Sequence, residues 1–392
     1  MRIKTKADDF WVEEVLHFAP AKKELPFRLF LLEKEGWNTS DAIREAAVRK
    51  KVPLGEIRSL GKKDRHARTV QFLSAPAEFD LSCEGEGFSV RGAGYSLKQL
   101  EPAVLKGNRF SLVLRDMGDR EAERVEIRLE QIARRGFANY FDDQRFGNVG
   151  SKGEFFAEML VKRRFDAALR KFFSFCHPEA PGYLKKRKAL LAEKWGQWDE
   201  MEPLCTEPLL KKMLSLLKKK GREGILSCLR LIPGEEMGMY FSAYTSFLWN
   251  ETLSRFLQGE DGELFPLELR TGPVFQYAEL PGDLLQRLMT DPLPVAGPDM
   301  PALSPDYDGV FSRLLAERGV RLSKFRLKEI SQAYFASFPR QCAVLPEDME
   351  WKREEDGLFP GKVALRLRFF LPRGSYATML LKSAGRVQEP RT

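Results

Sequence analysis

The 392-residue chain is 43% hydrophobic and 31% charged, with a formal net charge of +8. It is longer than one core usually fills and has the apolar content for more, so two domains are expected. Its five cysteines (Cys83, Cys176, Cys205, Cys228 and Cys342) are scattered, odd in number and without a C-x-x-C pair, which excludes a disulfide framework or a zinc site and fits a reducing cytoplasm.

The amino-terminal stretch MRIKTKADDFWVEE lacks the apolar run of a signal peptide, and no apolar run approaches the length of a bilayer span. A soluble, cytoplasmic protein is therefore expected. Residues 1–150 mix strand and helix. β-compatible residues fill Phe10 to Val15 and Phe27 to Leu32, and Trp37 to Asp41 then offers a cap for a helix over Ala42 to Arg49. Extended character resumes over Thr69 to Leu73. Leu105 to Phe110 reads as a turn in which Gly107 can take a positive φ, feeding a strand over Arg109 to Arg115 where Phe110, Leu112 and Leu114 share one face. Arg120 to Arg135 is helical by period. Elements mixed in this way fit an α+β catalytic body.

From Ser151 the texture changes. Phe155 to Phe175, Leu184 to Trp195, Pro208 to Lys220 and Ala243 to Leu257 are helical in pattern, the first three rich in lysine and arginine. The run His177 to Gly182 breaks one helix from the next. The window 151–230 holds 18 lysine and arginine residues against 10 aspartate and glutamate, which accounts for the whole net charge. A basic lobe of this kind suits a phosphate backbone, although a solvated helical surface reads the same way. Residues 259–308 are loop-rich, a further amphipathic helical stretch lies within Val310 to Ala336, and Lys362 to Phe370 alternates as a half-buried strand. That last strand is expected to rejoin the first domain's sheet, with domains at 1–150, 151–340 and 341–392, the middle one inserted.

The run Gly61-Lys62-Lys63-Asp64-Arg65-His66-Ala67-Arg68-Thr69-Val70-Gln71 sets one carboxylate among four cations and an imidazole. Nearby positive charge keeps a carboxylate ionised, and an ionised carboxylate in a cationic cleft suits a nucleophile acting on a polyanion. A solvated charged turn is the plainer reading of the string alone. The glycine-bounded stretch Gly136 to Gly147 carries Phe137, Tyr140, Phe141 and Phe146 with Asn139, Gln144 and Arg145. It suits a pocket that stacks an unstacked nucleobase on an aromatic face and reads its edge with amides. A buried aromatic cluster, its amides satisfying loop backbone, accounts for the same residues. Asp142 and Asp143 also compete with Asp64 as reactive carboxylates.

Taken together, these segments resemble the TruD family of tRNA pseudouridine synthases. The resemblance rests on D-F-x-V-x-E at Asp9 to Glu14, G-x-K-D-R-H-A-x-T-x-Q at Gly61 to Gln71 and K-G-N-x-F at Lys106 to Phe110. It continues in N-Y-F-x-x-Q-R-F-G at Asn139 to Gly147, S-A-Y-x-S-x-L-x-N at Ser242 to Asn250 and G-S-Y-A-T at Gly374 to Thr378. It implies a pseudouridine-synthase-like mixed sheet in the catalytic domain and a mostly helical inserted (TRUD) domain. It implies Asp64 as the catalytic aspartate, Phe141 packed by the target base, and Asn139 near the flipped uridine. Lys63, Arg65, His66, Gln144 and Arg145 are implied as active-site or RNA contacts, and Lys4 and Glu14 as residues closing the site. Asp142 departs from the glycine, and Arg68 from the small apolar residue, that many members carry.

The implied reaction converts a specific uridine of tRNA, position 13 in the D-arm, to pseudouridine. It is an isomerisation, so no ATP, redox cofactor or metal is implied. tRNA is the implied partner, and a monomer is expected because no coiled coil or long apolar patch appears. A cation beside Asp64, Lys63 or Arg65, is expected to hold it ionised. Two other readings remain open on the residues: a non-catalytic RNA-binding protein using the same basic lobe, and a glycosidase-type enzyme pairing Asp64 with Asp142 or Asp143. A synthase acting on another tRNA position or another RNA is the nearest variant of the first reading.

Overall fold

The computed structural model describes residues 1–150, 153–177, 180–385 and 387. Internal contacts divide the chain into two units, Met1–Phe137 together with the segment from Val344 onward, and Ala138–Ala343. The chain thus leaves the first unit at Phe137, upstream of the expected boundary at 150, and the aromatic loop beginning at Asn139 belongs to the second unit. The expected change of texture at Ser151 lies outside the described residues, as do Pro178 and Glu179 of the expected helix break.

The first unit is built on a nine-stranded mixed sheet. In chain order its elements are β1 (Phe10–Leu16), β2 (Phe27–Lys34), helix α1 (Thr39–Lys50), β3 (Arg58–Ser59), β4 (Arg68–Pro76), β5 (Cys83–Gly85), β6 (Phe88–Ser96), β7 (Leu105–Met117) and helix α2 (Asp119–Arg135). Strands Glu347–Glu355 and Val363–Pro372 complete the sheet, and helix Ala377–Ala384 follows them. Val363–Pro372 lies antiparallel to β7, with Leu367 opposite Leu112 and Phe369 opposite Phe110. β1 sits between β7, antiparallel, and β4, parallel. Alternating burial along β1 and β7 puts Phe10, Val12, Phe110 and Leu112 in the core. A second core, with Phe30, Leu32, Ala42, Ala46 and Leu73 in it, sits under α1.

Gly107 is needed for a different reason from the one expected. It lies within β7, opposite Pro372, and a Cβ there would come 2.1 Å from the Leu371 carbonyl oxygen. Close approach of backbone, not a positive φ, reserves the position for glycine. Strand Glu347–Glu355 was not anticipated, because its sequence EDMEWKREE reads as a solvated surface. It is an edge strand, and edge strands carry such charge because it discourages pairing with other chains.

The second unit is mostly helical. The single helix expected over Phe155 to Phe175 is two, α3 (Phe156–Val161) and α4 (Phe165–Ser174), separated at Arg163, which adopts φ 58°. Helix α5 spans Gly182–Glu193, and Pro208–Lys220 is helical as expected. The helix containing Ala243 to Leu257 is longer than expected, Gly234–Gln258, with its middle buried on nearly every side. The supposed loop region instead contains an antiparallel hairpin of Glu263–Leu269 and Gly272–Glu279 and a helix at Gly282–Thr290. The helix expected within Val310 to Ala336 spans Pro305–Glu317 and stops before Gly319, whose φ is 63°. Among the described residues, no helix is long and apolar enough to cross a membrane.

Candidate active site

Asp64 sits in the connection between β3 and β4 of the first unit. Three elements fix that loop by polar contacts. From α1, Thr39 Oγ1 accepts from the Lys63 amide at 3.0 Å and donates to Gln71 Oε1 at 2.9 Å. From β4, Gln71 Nε2 donates to the Gly61 carbonyl at 3.2 Å. From the end of β2, the buried Lys34 donates its ammonium to the Asp64 carbonyl at 2.9 Å. Thr39, Gln71 and Lys34 are each almost fully buried, so the loop is pinned to the sheet rather than free in solvent.

The Asp64 carboxylate is held at both oxygens. Lys4 Nζ donates to Oδ2 at 2.6 Å, and the His66 amide donates to Oδ1 at 3.0 Å. The Lys4 side chain is 4% exposed and that of Asp64 26%, so the pair is sheltered while the carboxylate keeps access to solvent. Lys4 itself has φ 54°, uncommon for a residue with a Cβ, and its ammonium lies 4.8 Å over the Phe10 ring. Burial alone would raise the Asp64 pKa, but the Lys4 charge and hydrogen bond, the His66 amide and the His66 side chain together hold it below the ordinary 3.8. The carboxylate is thus ionised across the physiological range.

The counter-ion is Lys4, not Lys63 or Arg65 as the local sequence led us to expect. Lys63 Nζ turns to Glu14 Oε1 at 2.8 Å and Asn108 Oδ1 at 2.8 Å, which face each other across β1 and β7. Glu14 also accepts from the Phe72 amide of β4 at 2.8 Å. Burial raises the Glu14 pKa despite the opposing Lys63 charge. Arg65 donates Nε to the Gly36 carbonyl at 2.9 Å, and both Arg65 and His66 are exposed. Proximity in sequence misled here because Lys63 and Arg65 are drawn to Glu14, Asn108 and Gly36, whereas Lys4 is brought in ahead of β1, the strand beside β4.

Lys34 was not singled out from sequence; a lysine ending an apolar strand reads as a surface residue. Burial pushes its pKa down to about 8, against the attraction of Asp64 and with the repulsion of Lys63. Because the folded value lies below the unfolded 10.5, the unfolded chain binds more protons between about pH 8 and 10.5, and stability rises with pH in that window. Urea unfolding near pH 7.5 and pH 9.5 should therefore show wild type gaining roughly 2 kcal/mol relative to Lys34→Met. An unchanged difference between the two proteins would mean that Lys34 is not titrating from a buried site.

In the second unit, the segment from Ala138 to Phe141 is clamped by side-chain amides. Gln276 Oε1 accepts from the Ala138 amide at 2.7 Å, while Asn250 accepts from the Phe141 amide and donates to its carbonyl, both at 2.9 Å. Arg340, 6% exposed, donates to the Asn139 carbonyl and to Asn139 Oδ1, and Asn139 Nδ2 donates to the Gln341 carbonyl at 3.1 Å. The Arg340 guanidinium also lies 3.8 Å over the Phe141 ring, and Trp249 meets that ring edge-on at 5.6 Å. Phe141 is 2% exposed. Gln144 and Arg145 are exposed on the 3-10 turn Asp143–Phe146, with the Arg145 guanidinium 5.5 Å over Phe141. Asp143 accepts from the Arg270 amide at 2.7 Å, and Asp142 is buried. Sequence reasoning missed Arg340, which no motif flanks. Asn108 and Asn250 lay inside quoted motifs and could have been found there.

A fold with a large mixed sheet, and an ionised aspartate set in a lysine-lined connection on it, is what an RNA-modifying synthase of the pseudouridine type would need. The sequence model of the family described as tRNA pseudouridine synthase D (TruD) matches residues 1–263 and 285–384. The tRNA pseudouridine synthase D of Leptospira interrogans is 32% identical over 97% of this chain and 95% of its own length. That of Aquifex aeolicus is 27% identical over 97% of this chain and 97% of its own. A crystal structure of the TruD protein of Methanosarcina mazei superposes with a TM-score of 0.73 at 22% identity, covering 97% of this chain and 92% of that one. The chain belongs to the TruD family and is a tRNA pseudouridine synthase, an enzyme that isomerises uridine to pseudouridine in tRNA. Membership in this enzyme family sets aside the non-catalytic RNA-binding reading.

Proposed function

We infer that Asp64 is the carboxylate that acts at the ribose of the target uridine, and that the target is position 13 in the D-arm of tRNA. The observation that carries the first part is the Lys4–Asp64 pair at 2.6 Å, which keeps the only carboxylate of the K-D-R-H motif charged while leaving it partly open to solvent. Formation of pseudouridine breaks the bond from C1′ to N1 of uracil, rotates the base and makes a bond from C1′ to C5. N1 gains a proton and C5 loses one, so the atoms balance without oxidant, reductant or nucleotide. The carboxylate either adds to C1′ as N1 departs or removes a neighbouring ribose proton, and an ionised group is required for each.

The uridine must first leave its stack, at a cost on the order of a few kcal/mol offset by contacts to the extruded nucleotide. By resemblance of motif, Phe141 stacks on the base and Asn139 hydrogen-bonds near it. The same resemblance assigns Lys63, Arg65, His66, Gln144 and Arg145 to substrate contact, and Lys4 and Glu14 to closing the site. Phe141 is buried and the Asn139 amide is engaged in a segment held by Arg340 and Asn250, which would present that segment to the base in a fixed shape. We place the enzyme in the cytoplasm as a monomer working without a cofactor. The test is to incubate an unmodified tRNA transcript with the protein alone and map pseudouridine by position. Product confined to position 13 is expected; product elsewhere overturns the choice of uridine, and abasic sites would support a glycosidase instead.

A further inference from the structure

The net positive charge of the second unit is not spread evenly over its basic helices. Many cations there are already neutralised by neighbours: Arg187 and Lys188 share Glu207, Lys218 takes Asp199 and Glu202, and Lys171 takes Glu154. One concavity differs. The turn between α3 and α4 and the turn after helix Pro305–Glu317 enclose a cleft of about 440 Å³ lined by Lys162, Arg163, Arg164, Arg321 and Lys324, with no carboxylate in its lining. Sequence inspection could not find it, because its two walls lie more than a hundred and fifty residues apart.

The cleft is a built feature. Arg163 spans it as a clamp, donating to the carbonyls of Lys324 at 3.0 Å and Arg326 at 3.1 Å, and pairing with Glu329 at 3.1 Å. Both walls turn on left-handed residues, Arg163 at φ 58° and Gly319 at φ 63°. For arginine that conformation costs about 1 kcal/mol or more, so the clamp has to outweigh it. Lys162 is paired with Glu158 at 2.9 Å. Arg164, Arg321 and Lys324 are exposed, and among the described residues no carboxylate pairs with them. Arg164 also lines the neighbouring cleft that holds Glu154, Glu158 and Glu317 without pairing with them, and an anion entering this cleft meets Arg164, Arg321 and Lys324 with no carboxylate in its lining to compete.

We propose that this cleft binds a backbone phosphate of the RNA substrate, outside the nucleotide being modified, through Arg164, Arg321 and Lys324. Guanidinium groups match the oxygens of a phosphodiester in paired hydrogen bonds, and the exposure of all three cations suits a ligand that approaches as a long strand. The proposal rests on the reading of the chain as a tRNA-modifying enzyme, but it is measured by binding and so does not depend on Asp64.

The test uses the full chain with Arg164→Gln, Arg321→Gln and Lys324→Gln combined, leaving the Arg163 clamp in place. Binding of unmodified tRNA is followed by fluorescence anisotropy over a salt series. The expected result is an affinity loss of roughly 10- to 100-fold at low salt and a log–log salt slope shallower by about 1, with the rate at saturating tRNA within about twofold of wild type. A matched variant removing Lys211, Lys212 and Lys219, exposed on helix Pro208–Lys220, should lower the slope less. Equal losses in the two variants, or an unchanged slope in the first, would overturn the assignment; an unchanged slope with weakened binding of an acidic protein would give the cleft to a protein partner. If instead Asp64→Asn proves active while the cleft variant loses affinity, the catalytic reading fails and this one stands.

Discussion

Asp64→Asn should abolish pseudouridine formation, by at least about 1,000-fold, while leaving tRNA affinity within about twofold of wild type. The substitution preserves the shape of the side chain, but its single amide oxygen can accept from Lys4 or from the His66 amide and not from both, so one of the two contacts is lost with the charge. What it removes is the negative charge, and both routes open to the carboxylate need that charge. Single-turnover assays on a tRNA transcript, with binding measured in parallel, separate the two effects. The Lys4 ammonium, 4% exposed, would then face a neutral amide. A buried cation without its counter-ion costs on the order of a few kcal/mol, so the variant should also melt lower than wild type. Loss of turnover with retained binding and a native circular dichroism spectrum is the expected pattern. Normal turnover would remove Asp64 from the chemistry, and loss of binding would make it a substrate contact instead.

Much of this arrangement was legible in the chain because it follows from local chemistry. The alternation of Phe110, Leu112 and Leu114 placed β7, and the alternation in Val363 to Phe369 identified the strand that pairs with it. The motif around Asp64 pointed to the carboxylate itself. Partner identity was not legible, since it depends on strand order. Lys4 reaches Asp64 from 60 positions away because β1 lies parallel to β4, and the nearest cations in sequence, Lys63 and Arg65, face Glu14 and Gly36. Elements were missed where function of position outweighs pattern. The charged edge strand Glu347–Glu355 has no apolar face to announce it, and β6 carries Gly92 and Gly94 in its middle. The break at Arg163 was invisible because an arginine in the left-handed region leaves no mark in hydrophobic period.

The dependence of Asp64 on Lys4 gives a second large effect with a pH signature. In the native protein burial pulls the Asp64 pKa up, and the Lys4 charge and hydrogen bond, together with the His66 amide and side chain, more than offset it. Lys4→Met removes the largest part of that offset and leaves the burial, so the pKa rises from its native value toward the assay range. The sign follows directly: the carboxylate is competent only when ionised, so activity must fall as pH drops through the raised pKa. Each unit by which that pKa exceeds the assay pH removes about tenfold of the ionised form. Wild type should show no acid limb from this group between about pH 5 and 8, because its Asp64 pKa lies below 3.8. Lys4→Met should lose single-turnover rate progressively on the acid side of the profile and recover much of it toward about pH 9. Lys4→Arg, which keeps the charge, should restore the flat acid side even if geometry lowers the plateau. A defect of folding would reduce the rate alike at both ends of the profile, so the shape of the curve decides the matter. If Lys4→Met is slow at every pH with no recovery on the alkaline side, Lys4 serves the reaction in some way other than holding Asp64 ionised.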